Sequence, residues 1–95
     1  IYVLLYIIKM KINNLINIIK KKISDKIICE ELNVEDKTFL HVKHKNFDKK
    51  RFHIKIEIKS KQLKIKNKIA ANKIIFSIIE YELKKYIHSV QILIN

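Results

Sequence analysis

The sequence predicts an α+β domain of two layers, with elements in the order α-β-β-α-α-β and a three-stranded mixed sheet. Three observations predict it. A helical stripe opens the legible part of the chain, a strictly alternating strand lies near its middle, and helical spacing returns before a second alternating strand closes it.

The first stripe is Ile12, Leu15, Ile16, Ile19 and Ile23, spaced as one face of a helix, with Asn13, Asn14, Asn17, Lys20 and Lys21 on the other side. This predicts an amphipathic helix from Lys11 to about Ser24-Asp25. Leu32 and Val34 alternate with Asn33 and Glu35, which predicts a strand near residues 30–36. In "HIKIEIK" the alternation is complete: Ile54, Ile56 and Ile58 share one face, and His53, Lys55, Glu57 and Lys59 the other. One face of the sheet is therefore expected to be buried and the other wet, with His53 solvated. After Ser60 comes a short helical approach. A long helix is expected from about Asn67, whose side chain suits an N-cap, to Tyr86, with Ile69, Phe76, Ile79, Leu83 and Tyr86 inward. Val90, Ile92 and Ile94 then share one face of the last strand. A long helical crossover permits parallel pairing of the second and third strands, and the right-handed rule fixes the side on which the helices lie.

Residues 1–9, "IYVLLYIIK", form an apolar extension ahead of a domain at 10–95. Eight apolar residues fall far short of the roughly 20 that a membrane-spanning helix needs. A secretory signal would carry its positive charge before the apolar run, whereas Lys9 follows it. Met10 is the only methionine, so it is expected to be the natural start, with residues 1–9 not native; the rival expectation is a short extra strand or docking segment.

The chain has 95 residues, a hydrophobic fraction of 48% and a net charge of +12, with no glycine and no proline. This is the size of one small domain with one core. Lysine supplies the positive charge apart from Arg51, and the dominance of Ile, Lys and Asn is that of A/T-rich codons. Much of the charge is thus expected to be compositional drift rather than a designed nucleic-acid surface. A single cysteine, Cys29, excludes an internal disulfide framework and a self-contained zinc site. It fits a reducing, cytoplasmic compartment, and its apolar neighbours suggest a small packed hydrophobe.

Three local patterns, taken in order, carry a family resemblance. "VEDKTFLH" is similar to an Asp-x-Ser-x-x-His pattern, with Asp36, Thr38 and His41 in place. "FHIKIEIKS" is similar to a His-Phe-x-Val strand and following serine, at His53, Ile54 and Ser60. "IIFSIIEYELKKYIHSVQI" is similar to a long helix with a Glu-Leu pair, at Glu82-Leu83, and a His-Ala-Leu strand start, at His88-Ser89-Val90. In this order and spacing the patterns resemble the BolA family, whose fold is like the second type of KH domain, and the resemblance covers about residues 10–95. The chain departs from the pattern at two places. Phe-x-Gly is replaced by Leu63-Lys64-Ile65, and Arg-His-Arg by Ala71-Asn72-Lys73, so the cationic face that relatives build on that triplet is not reproduced.

The resemblance implies a monothiol (CGFS-type) glutaredoxin partner and a two-iron, two-sulfur cluster shared with it, toward which His88 contributes a ligand. The partner's cysteine and glutathione would supply further ligands. A second histidine from this side is implied in the loop after the first strand, at His41, with His44 as a substitute. A protein of this kind is a monomer alone and a heterodimer with its partner. Position alone offers plainer readings. A histidine closing a helix interacts favourably with its terminal carbonyls, and His41 would serve equally as an exposed loop side chain.

The alternative function is a basic KH-like binder of nucleic acid with a regulatory role. The middle of the chain is rich in lysine, including Lys61, Lys64, Lys66, Lys68 and Lys73, which suits nonspecific, salt-sensitive contact with DNA phosphates. KH domains clamp the backbone with Gly-x-x-Gly, which a chain without glycine cannot form. Catalysis has little support in the sequence: no Ser or Cys nucleophile beside a recognisable base, no glycine-rich phosphate cradle and no carboxylate pair at a spacing that suggests acid and base roles. Glu80 and Glu82 read as the wet side of their helix.

Overall fold

The computed structural model describes residues 2–38 and 52–95. The chain folds as α1 (Tyr2–Lys26), β1 (Glu31–Asp36), β2 (Phe52–Lys59), α2 (Lys61–Lys64), α3 (Lys68–Ile78), α4 (Glu80–Lys85) and β3 (Ile87–Ile94). This is the expected two-layer order. The sheet runs β1-β2-β3, with β1 antiparallel and β3 parallel to the central β2.

Helix α1 begins nine residues earlier than expected, so the extension continues the helix and is not a strand. The apolar run at its start has no polar residues to mark a period, which hid it from a stripe argument. It also contains no glycine or proline, and a helix propagates where nothing stops it. The expected stripe is the buried one: Ile12, Leu15, Ile19 and Ile23 enter the core, followed by Ile27 just past the helix end. Among the described residues, no helix is long and apolar enough to cross a membrane.

The core lies between these residues and β2, whose Ile54, Ile56 and Ile58 are all but fully buried. Register follows the pleat. Val34 and Ile92 flank Ile56 on its two sides, and Val90 and Ile94 pair with Ile54 and Ile58. Burying each such isoleucine contributes about 1.5–3 kcal/mol.

Ser60 follows β2 and is 1% exposed. Its hydroxyl donates to the Ile28 carbonyl at 2.8 Å and accepts from the Leu63 amide at 3.3 Å, capping α2. Its own amide donates to the Asn95 carbonyl at 3.4 Å. One serine thus ties together the α1–β1 connection, the start of α2 and the end of β3.

Asn67 caps α3 as expected, accepting from the Ala70 amide at 2.8 Å. The long helix expected from Asn67 to Tyr86 is instead two, broken at Ile79, where φ is −107° and ψ 21°. Ile74, Ile75, Ile78 and Ile79 are β-branched, which weakens helix preference and lets packing decide the path. The inward face also differs from the expected one. Ile79 and Leu83 pack in the core with Ala71 and Ile75, whereas Ile69, Phe76 and Tyr86 are exposed. Ile69 and Phe76 line an open groove with Asn72, Lys73, Val90 and Ile92.

Glu82 was expected on the wet side and is buried. Its carboxylate accepts from Lys22 Nζ at 2.8 and 2.7 Å, joining α4 to α1. The two side chains differ in exposure, 40% for Lys22 and 4% for Glu82. The amine therefore reaches water if its partner is lost, and the carboxylate does not. Lys22→Met should accordingly destabilise the fold by about 3 kcal/mol and Glu82→Met by about 1 kcal/mol, with the double variant close to wild type. Urea denaturation of the three variants checks the order.

Candidate metal centre

The chain leaves α4 through Tyr86, whose carbonyl accepts from the Phe52 amide at 2.8 Å. Ile87 then pairs with Phe52, but the next pair is His53 with Ser89. The third strand therefore carries one residue more than β2 at this point, and His88 is that residue. The bulge has a packing reason. Ile87 and Val90 both turn toward the helices although three positions apart, so one extra residue must be accommodated between them; without it Val90, Ile92 and Ile94 would face outward. The result is that His88 and Ser89 are both exposed.

This placement removes the plainer reading of His88. Helix α4 ends at Lys85, and the basic residues of its last turn are Lys84 and Lys85. His88 lies in the strand beyond.

Beside it stands His53, expected to be solvated and found only 5% exposed. Among the described residues, four contacts hold it. Its amide donates to Thr38 Oγ1 at 3.2 Å and its carbonyl accepts from the Lys37 amide at 2.7 Å. Its Nδ1 lies 2.6 Å from Ser89 Oγ, and its ring meets that of His88 edge to face, centroids 5.0 Å apart at 63°. Thr38 is in turn held by Asp36, whose Oδ1 accepts from the Thr38 amide at 2.9 Å and from the Thr38 hydroxyl. The Asp-x-Thr unit is thus a turn that closes β1 and rests on His53. At its rim, hydrogen bonds from Lys37 and Asn33 hold the Glu35 carboxyl below the usual carboxylate range. Lys37, His53, Lys55, Ser89 and Gln91 line a shallow hollow of about 370 Å³ on this side of the sheet.

His41 and His44 lie outside the described residues. Cys29 packs half-buried against the core, as expected of a small hydrophobe. Among the described residues, no group of three His, Cys, Asp or Glu side chains is placed to hold a metal ion. The donor set described is one exposed imidazole backed by a second, buried one. That set does not make a self-contained centre, and it fits a ligand offered to a metal group held mainly by another molecule. The lysines of the nucleic-acid reading are exposed; Lys61, Lys64, Lys66 and Lys68 gather around the α2–α3 turn, and Lys73 stands apart on α3.

Sequence reasoning missed the roles of Ser89 and Thr38. A signal for the first was present: in "IHSV" two polar residues in succession separate two apolar ones, which breaks strand alternation and announces a bulge.

The element order, the mixed sheet and the short helix turn between α2 and α3 define an α+β domain of the type II KH-like class. The chain belongs to the BolA family: the family described as BolA-like protein matches residues 23–95. Among solved structures, the BolA domain of SufE1 from Arabidopsis thaliana is similar at 26% identity and a TM-score of 0.69, over 81% of this chain and 85% of that one. BolA1 from the same plant is similar at 20% identity and a TM-score of 0.71, over 84% and 88%. A bol-like protein from Babesia bovis is similar at 18% identity and a TM-score of 0.64, over 83% and 80%. No curated protein matches the chain.

An exposed imidazole and a buried one differ in what their loss does to the fold. His88→Ala should change stability by less than about 0.5 kcal/mol. His53→Ala should cost about 1–3 kcal/mol, because it empties a buried site and strips Ser89 of its partner. Paired urea titrations check both values.

Proposed function

We propose that this BolA-like chain is an accessory protein of iron–sulfur cluster assembly or trafficking that docks a monothiol glutaredoxin and contributes His88 to a two-iron, two-sulfur cluster bridged between them. The observation that supports the reading is the bulge that presents the His88 imidazole to solvent at the sheet end, with its ring edge to face on that of His53. The second ligand from this side is His41, with His44 as substitute, from the segment that follows the Asp36–Thr38 turn. The partner's cysteine and glutathione complete the set. When bound, a cluster with imidazole in place of thiolate carries less negative charge and has a higher potential.

This chain's own residues orient and present the ring. His88 serves as the donor, His53 and Ser89 stand behind it, and the lysines of the hollow favour the approach of an acidic surface. The protein is read as an adaptor rather than an enzyme, acting in the cytoplasm as a monomer that forms a heterodimer.

The exposed lysines gathered at the α2–α3 turn favour a second reading, nonspecific nucleic-acid contact there. That contact would weaken steeply with salt and be indifferent to His88.

The test is an anaerobic titration of this protein into a reconstituted monothiol glutaredoxin cluster, followed by visible absorption and circular dichroism. The expected result is a spectral change complete at one-to-one stoichiometry and absent with His88→Ala. A cluster spectrum unmoved by the wild-type protein would overturn the proposal.

A further inference from the structure

Two histidines meet at the bulge, and only one of them faces the solvent. His88 is exposed, while His53 is 5% exposed on the side of β2 that otherwise carries Lys55, Glu57 and Lys59. A buried imidazole on the polar face of a sheet needs a reason, and its surroundings supply one. Its backbone is fixed on both sides by the β1 end, through Thr38 Oγ1 and the Lys37 amide. Its ring is fixed by Ser89 Oγ at 2.6 Å from Nδ1. The ring so fixed presents itself to His88 edge to face, at 5.0 Å and 63°.

We propose that His53 is a positioning residue for the His88 imidazole, held in its turn by Ser89 and by the Asp36–Thr38 turn. The inference rests on the reading of His88 as a ligand for its purpose, though not for its geometry. An exposed histidine on a strand has two rotatable side-chain bonds, and each rotamer frozen on binding costs affinity. A neighbouring ring of fixed orientation restricts those rotamers beforehand, since imidazole edges and faces attract in a preferred arrangement. The bulge gives the arrangement its reach. Placing Ser89, not His88, opposite His53 lets the residue after the ligand anchor the ring that the ligand packs on. The same residue is tied to the end of β1, because its backbone amide donates to Thr38 Oγ1.

The test uses the apo protein, labelled with carbon-13 and nitrogen-15, and reads the side-chain couplings of His88 together with cross-relaxation between its ring and residue 53. Wild type is expected to show one His88 rotamer. His53→Ala and Ser89→Ala should show couplings averaged over several rotamers, while His53→Phe, which keeps a ring, and Ser89→Thr, which keeps the hydroxyl, should restore the single one. An averaged His88 in wild type, or an unchanged rotamer in a folded His53→Ala or Ser89→Ala protein, overturns the proposal. Should His53→Ala fail to fold, the Ser89 pair decides on the same readout. In the cluster-loaded heterodimer, His53→Ala is expected to weaken cluster retention by about tenfold, as loss of a residue that orients a ligand does. The two readings fail separately: a cluster indifferent to His88→Ala removes the ligand role and leaves the apo couplings as they are.

Discussion

The structure depends first on the alternation of β2. Ile54, Ile56 and Ile58 are buried in the core, and as the central strand β2 dictates the register of both its neighbours. A slip of one residue would turn three lysine and glutamate side chains into the core and all three isoleucines out of it, so the register is strongly specified. The helices add stripes that fit this surface. Ile19 and Ile23 of α1 and Ile75 of α3 are fully buried in the same core, and Ser60 locks the end of the strand to three other segments.

The candidate site is a consequence of the same constraint. The third strand must bring Ile87 and Val90 to one face although their spacing is odd, and the extra residue created by that demand is His88. The His88 imidazole is therefore presented by backbone geometry that the core enforces. The polar residue at the end of the isoleucine strand, His53, is covered by the β1 turn and by Ser89, so the packed and the exposed parts of the sheet end meet at one residue. The Lys22–Glu82 pair plays a different part: it pins α4 to α1 and so fixes where the chain leaves the helix layer to begin β3.

Elements with a clean period were legible in the sequence. The α1 stripe, both β strands of the hairpin-like pair, the Asn67 cap and the alternation of β3 all stand where the pattern put them. Three features were not legible, each for a physical reason. The start of α1 is apolar on every side, so it carries no phase from which to read its extent. The apolar residues from Ile69 to Ile79 offer two overlapping helical faces, and the choice of Ala71, Ile75 and Ile79 over Ile69 and Phe76 was made by packing in the common core. Burial of Glu82 and His53 depends on partners 60 and 36 residues away, Lys22 and Ser89, which no local pattern reveals. At the candidate site, His88 was singled out by family resemblance, whereas the pairing of Ser89 with His53 follows from a register shift between two distant strands.

The central claim is that a histidine of this chain is bonded to iron in a shared cluster. Pulsed electron paramagnetic resonance of the reduced heterodimer tests it most directly, with nitrogen-15 histidine incorporated in this chain alone and an unlabelled glutaredoxin. The account predicts a nitrogen-15 coupling on the cluster spin that disappears with His88→Ala. A loaded heterodimer whose echo modulation shows only nitrogen-14 from the partner would contradict it.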